Sequence, residues 1–180
     1  QLNYFWLALA FFTRIPIPAD TPFSAERLNH ASRYFSLVGG IVGLCAALTL
    51  ALSYQLLPVS IAVLISMCAT IRITGAFHED GLADMADGLG GGMTPERKLE
   101  IMKDSRVGSY GVVALVLALL GKFALLTSLD VVWVPIALLA AHAFSRFCAL
   151  TLMATMDYAR DDNQSKARPV RSEEHTSELQ

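Results

Sequence analysis

The sequence predicts an all-α, polytopic helical membrane protein with four spans, and three observations point to it. Hydrophobic residues make up 54% of the 180 positions and charged residues only 17%, against about 25% charged in an ordinary soluble domain. From Tyr34 to Ile71 there is no Asp, Glu, Lys or Arg. That run is too long for one helix across a bilayer, which needs roughly 20 residues. Two more apolar runs follow. Val107 to Ser128 is interrupted only by Lys122, and Val131 to Met156 only by His142 and Arg146.

The chain starts at Gln1, so the natural start is expected upstream. Leu2 to Phe12 is apolar and aromatic, but at about 11 residues it is too short to span. No small-x-small cleavage site follows, and Pro16 and Pro18 intervene, which argues against a signal peptide. An interfacial or re-entrant helix fits better, with Phe5, Trp6, Phe11 and Phe12 at headgroup level. Ser24 is placed to cap a short helix running through Arg33, in which His30 reads as a surface histidine.

Pro58 divides the uncharged run into a first span, Phe35 to Leu56, and a second, Val59 to Phe77. Gly39, Gly40 and Gly43 give the first a small face of the kind that packs helices closely; the alternative is that glycine is simply common in such helices. Arg72, near the end of the second, either snorkels to the interface or points inward at an anion. Gly90, Gly91 and Gly92 read as a flexible connection. Thr94 and Pro95 then start a charged helix continuing from Arg97 to Arg106. Lys122 and Arg146 stand inside the third and fourth spans, where an unpaired charge costs several kcal/mol. Each is a functional candidate or a structural hydrogen-bonding group, and His142 reads as a neutral packed histidine. Cys45, Cys68 and Cys148 lie in apolar runs without CxxC spacing, so they read as small apolar residues.

The basic residues set an orientation. Arg14, Arg27 and Arg33 precede the first span. Arg97, Lys98, Lys103 and Arg106 lie between the second and third, and Arg160, Lys166 and Arg168 follow the fourth. The two remaining connections, 53–58 and 129–130, contain no Lys or Arg. The positive-inside rule makes the basic side cytoplasmic. The formal net charge of −2 gives no support to nucleic-acid binding.

On the basic side lies GAFHEDGLADMADGLGGGMTPERKLEIMKDSRVGSYG, from Gly75 to Gly111. If Gly81 to Gly88 is helical, Asp80, Asp84 and Asp87 stand at i, i+4 and i+7, within roughly 60° of one another. Three anions on one stripe repel unless a cation or water separates them. Mg²⁺ suits such a site, since it takes one or two carboxylates and completes its shell with water and substrate phosphate. The alternative is a solvated acidic face. His78 lies about 160° from Asp80 on the wheel and cannot join the triple in a straight helix.

FHEDGLADMADGLGGG followed by ERKLEIMKDSRVGSYG resembles the cobalamin synthase family, the adenosylcobinamide-GDP ribazoletransferases or cobalamin-5′-phosphate synthases. The resemblance extends to FWLALAFFTRIPIP, RYFSLVGGIVG and AHAFSRFCALTLMA and covers about Leu2 to Val170. It implies a multi-pass enzyme of the bacterial inner membrane with its acidic motif facing the cytoplasm. It also implies the reaction: a hydroxyl of α-ribazole or its 5′-phosphate attacks the cobinamide-bearing phosphorus of adenosylcobinamide-GDP, and GMP leaves. Mg²⁺ is the expected cofactor, with Asp80, Asp84 and Asp87 as candidate ligands. Asp104 is a further ligand or a base orienting the attacking hydroxyl, and His78 a base or phosphate donor. Lys103, Ser105 and Arg106 are candidate phosphate partners. Gly108 and Gly111 allow either close approach of a phosphate or helix packing. A homo-oligomer is compatible with this reading.

Two other functions compete. The CDP-alcohol phosphotransferases share the DG dipeptide and an alanine, but the arginine that should follow is absent and the later spacing fails. A transporter subunit would use Arg72, Lys122 and Arg146, yet would place its acids near mid-membrane. The last ten residues, RSEEHTSELQ, are the translation of a common sequencing-adapter sequence. Residues 171–180, His175 among them, are therefore expected to be an assembly artefact appended to a membrane domain over 1–170, with further spans beyond it in the family.

Overall fold

The computed structural model describes residues 1–156, and these hold eight α-helices and one 3-10 turn in chain order, with no strand. The basic cluster Arg160, Lys166 and Arg168, and the expected artefact at 171–180, lie outside the described residues. Three helical stretches are long and apolar enough to cross a membrane: Ala25–Tyr54, Ser109–Ser128 and Val134–Thr155. A fourth is reached if Val59–Thr74 and Phe77–Gly91, bent by 86° at their junction, count as one. The chain divides into two compact units, Gln1–Leu44 with the stretch from Ala137 onward, and Cys45–Ile136.

In the first unit, α1 (Leu2–Phe12) ends where Thr13 turns its hydroxyl back to the Leu9 carbonyl at 2.7 Å. Helix α2 (Ala25–Ala31) begins, as its sequence predicts, with the Ser24 hydroxyl accepting the Arg27 N–H. It does not stop before the first span: a 3-10 turn, Ser32–Tyr34, carries it directly into α3 (Phe35–Tyr54). Phe12 is buried within the protein. It is 5% exposed and packs edge-on against Phe35 at 4.6 Å, because a ring on the inner face of α1 gains more from a partner ring than from the surface. His30 is exposed, tilted against Tyr4 at 5.6 Å, in keeping with a surface role. Gly39 and Gly43 meet the backbone of α8 (Val134–Thr155), whereas Gly40 faces open space.

In the second unit, α4 (Val59–Thr74) is pinned to α3 by the Ser66 hydroxyl, which donates to the Ala46 carbonyl at 2.8 Å. The predicted second span, Val59 to Phe77, closes three residues early. Gly75 takes a left-handed φ of 67° and the Ala76 N–H returns to the Ile71 carbonyl at 2.9 Å, a Schellman-type ending. The chain then restarts as α5 (Phe77–Gly91), so Gly90 and Gly91 are helical and not a flexible connection. Helix α6 (Pro95–Ile101) has the expected Thr94 cap and leading proline. It ends at Ile101 and does not continue to Arg106, because residues 103 and 104 fold back in turns onto the carbonyls of Glu100 and Ile101. Helix α7 (Ser109–Ser128) leaves Val112, Val113, Val116, Leu117, Leu120 and Leu125 exposed, an apolar surface suited to lipid. The three cysteines are free.

Candidate functional site

The site is built on α5, and α5 owes its direction to two consecutive left-handed residues. Ala76, at φ 59°, is the one non-glycine residue with positive φ among the described residues. Such a backbone costs on the order of 1–3 kcal/mol and is kept only where the surroundings fix it. The turn places Glu79 and Asp80 in the first turn of α5, where the helix dipole favours negative charge.

Helix α5 presents distinct faces. Ala83 and Asp87 are buried toward α7, and Gly90 lies under the Tyr110 ring, which a Cβ there would meet at 2.6 Å. Gly88 lies under Met102. Asp80 is exposed and Asp84 half-buried. The structure therefore divides the predicted acid triple. Asp87 Oδ2 accepts the Gly108 N–H at 2.7 Å and Oδ1 accepts the Gly111 N–H at 2.8 Å, so its carboxylate caps the first turn of α7. Among the described residues, no three His, Cys, Asp or Glu side chains are grouped so as to hold a metal ion. Asp80 and Asp84 remain one helical turn apart.

Gly108 and Gly111 are close-approach glycines, as expected, but what approaches them is a protein carboxylate. A Cβ at Gly108 would stand 2.5 Å from Asp87 Oδ1, and one at Gly111 would overlap Oδ2. Charge-assisted bonds of this kind contribute about 1.5–3 kcal/mol each.

Between α6 and α7 run the other candidates. Asp104 and Arg106 are paired: the Arg106 Nη2 donates to Oδ2 at 2.7 Å, Nε donates to both carboxylate oxygens at 3.1 Å, and the backbone N–H donates to Oδ1 at 3.1 Å. The guanidinium, and after it the backbone N–H, hold the Asp104 carboxyl down to about 2, and the carboxylate in turn raises Arg106. Lys103 and Ser105 are exposed on the same connection. His78 is exposed in the first turn of α5, edge-on to Phe77 at 5.4 Å.

Arg146, predicted as a functional or structural charge, is 5% exposed in the first unit. It bonds along its own helix, donating to His142 Nδ1 at 3.1 Å and Ser145 Oγ at 2.9 Å, and lies 5.9 Å from the Phe12 ring centre. A guanidinium only donates, so Nδ1 of His142 is the acceptor in this contact. Arg72 is exposed in the last turn of α4. One residue was undervalued by sequence reasoning. Glu79 Oε2 is buried without a hydrogen-bond partner, and the available signal was its wheel position, about 40° from Ala83 on the face packed to α7.

Asp80, exposed, and Asp84, half-buried, on α5, with Lys103, Ser105 and Arg106 on a connection held to the same helix, are side-chain types that phosphoryl transfer employs. Comparison with known proteins points the same way. The model of the cobalamin-5-phosphate synthase family matches residues 4–178. The adenosylcobinamide-GDP ribazoletransferase of Shewanella amazonensis is 53% identical over 182 residues, covering 99% of this chain and 70% of that protein. Its namesake in Vibrio parahaemolyticus is 48% identical, covering 99% and 68%, and that of Vibrio cholerae is 51% identical over 171 residues, covering 94% and 66%. No solved structure matches.

Proposed function

The chain belongs to the cobalamin-5-phosphate synthase family, and from that premise we propose that it joins adenosylcobinamide-GDP to α-ribazole or its 5′-phosphate. The observation that carries this reading is identity of about half along nearly the whole chain to proteins of that activity. In the proposed reaction the ribazole hydroxyl oxygen attacks the phosphorus bearing cobinamide. A new P–O bond forms, the bond to GMP breaks, and the hydroxyl proton passes to a base. Adenosylcobalamin, or its 5′-phosphate, and GMP result.

Phosphoryl transfer asks the protein chiefly for positioning and charge neutralisation. Lys103, Ser105 and Arg106 are proposed to bind the diphosphate, with Arg106 exchanging part of its pairing with Asp104 for a phosphate oxygen. Asp104, held to about 2 by Arg106, is a weak proton acceptor at neutral pH and serves better to orient that arginine. His78 is the better base, because an imidazole ordinarily exchanges its proton near neutrality.

Mg²⁺ fits the donors that remain. The ion takes one or two carboxylates and fills its shell with water and phosphate, and Asp80, exposed, and Asp84, half-buried, stand one turn apart on α5. Bound there, it would neutralise charge developing on the phosphate oxygens. The acidic helix is proposed to face the cytoplasm of a bacterial inner membrane, because by the span count of the sequence Arg14, Arg27 and Arg33, which precede the first uncharged run, and Arg97, Lys98, Lys103 and Arg106, which lie between the second and third spans, fall on one side.

The test is turnover by the full-length protein in membranes. Release of GMP from adenosylcobinamide-GDP that depends on added α-ribazole is expected, and no ribazole dependence would overturn the reading. For orientation, a cysteine introduced at Gly91 should be shielded from an impermeant reagent in intact cells and one at Asp130 labelled; the reverse would refute it.

A further inference from the structure

Asp87 stands in sequence with two candidate metal ligands, yet its surroundings suit an anion and nothing else. The side chain is in a residue 8% exposed, and both oxygens take backbone N–H groups from the first turn of α7. Those N–H groups, with the half positive charge of a helix N-terminus behind them, attract a carboxylate and repel a cation. The fit is also close: glycine is the residue at both donor positions, and a Cβ at Gly111 would in addition come within 3.0 Å of the Ala83 carbonyl.

What this contact holds is the connection between α6 and α7. Its C-terminal end is Gly108, bonded to Asp87. Near its N-terminal end Met102 lies over Gly88, where a Cβ would meet Met102 Cγ at 2.6 Å. Two adjacent residues of α5 thus fix both ends of the segment that carries Lys103, Ser105 and Arg106. We infer that Asp87 is a positioning residue: through the α7 N-terminus it holds the Lys103–Arg106 connection in register with the Asp80 and Asp84 carboxylates, and it does not ligate a metal. This rests on the transferase reading above.

The experiment measures GMP release by the full-length enzyme against Mg²⁺ and against adenosylcobinamide-GDP for the unmutated protein, Asp80→Asn, Asp87→Asn and Gly111→Ala. Asp80→Asn should raise the Mg²⁺ needed for half-maximal rate. Asp87→Asn and Gly111→Ala should leave that requirement within about twofold while kcat/KM falls at least about tenfold, with KM for adenosylcobinamide-GDP rising about fivefold. The rise in KM separates positioning from a smaller folded fraction, which lowers kcat alone. The double variant should be little worse than the worse single one, since both break one contact. An Asp87→Asn enzyme that is rescued by raised Mg²⁺, an unchanged KM, or full activity in Gly111→Ala would overturn the proposal.

A readout without substitution covers the case in which the variants do not fold. In the unmutated protein the Gly108 and Gly111 amides should stay protected from hydrogen exchange when divalent cations are chelated, because their acceptor needs no metal. Rapid exchange on chelation would overturn the proposal. Should the unmutated enzyme show no ribazole-dependent release, the transferase reading fails instead, and the exchange result still decides how Asp87 is held.

Discussion

Two pairs of glycines bring helices together in this chain, and they do it by different physics. Gly39 and Gly43, one turn apart on α3, meet α8 backbone to backbone: a Cβ at Gly39 would overlap the His142 carbonyl oxygen, and one at Gly43 would stand 2.8 Å from Leu139 Cα. Gly108 and Gly111, at the start of α7, meet a carboxylate that their own N–H groups hold. The first pair gains dispersion from close surfaces, as small residues do within apolar spans. The second gains two charge-assisted hydrogen bonds in a polar turn. Crowding the first should therefore unmake the fold, while crowding the second should leave a folded protein with a displaced loop.

The strongest way to break that contrast is Gly39→Leu. A leucine driven into the α8 backbone should prevent the full-length protein from accumulating as a monodisperse species in detergent. Gly39→Ala should cost about 1–3 kcal/mol of stability, read as a lower melting temperature, with kcat/KM preserved. A Gly39→Ala enzyme of normal stability would mean that α3 and α8 are not in backbone contact.

The acids sharpen the contrast from the other side. Asp80→Asn and Asp84→Asn should each reduce turnover at least about tenfold, or about 1.4 kcal/mol of transition-state stabilisation, with partial rescue by raised Mg²⁺ and an unchanged melting temperature. Normal activity and normal Mg²⁺ dependence in both would make this stripe a solvated face.

Asp104 supplies the exposed counterpart of Asp87. Its folded value lies near 2, below its ordinary 3.8, because Arg106 stabilises the anion. The sign follows: any stability from this pair is fully present above the ordinary value and is lost as pH falls through the folded one. Because the group is solvated, the effect is small. Melting temperatures of the native and Asp104→Asn proteins should differ by an amount constant from pH 5 to 8, and converge only in strong acid, on the order of pH 2. A difference that varied near neutrality would show that another group sets it. The smallest effect belongs to Gly40→Ala, since nothing lies within 4 Å of the added Cβ. It should be neutral or gain about 0.5–1 kcal/mol from helix propensity, checked by the same melts.

How much of this was legible depends on the distance over which each contact acts. Local signals did well: Ser24 and Thr94 cap the helices they were expected to cap, Pro58 separates two helices, and α7 and α8 lie within the apolar runs that predict them. The long charged helix after Thr94 was cut short by turns at Lys103 and Asp104 that propensity alone does not resolve. The contact made by Asp87 was out of reach for a different reason. Its partners lie 21 and 24 residues downstream, so helical spacing groups it with Asp80 and Asp84 while tertiary contact joins it to the start of α7.

The turn at Gly75 and Ala76 also sets a length. With 16 residues, α4 rises about 24 Å, roughly 6 Å short of an average hydrocarbon core. Arg72, exposed in its last turn, shortens the apolar part further. The deficit cannot be recovered by unrolling α5 into the span, because the 86° bend directs that helix away. Taken by itself as a span, α4 would match a bilayer thinner than average, each Å of mismatch costing a fraction of a kcal/mol. For such a span, short-chain lipids should relieve the mismatch and long-chain lipids should load the turn from which the acidic helix departs.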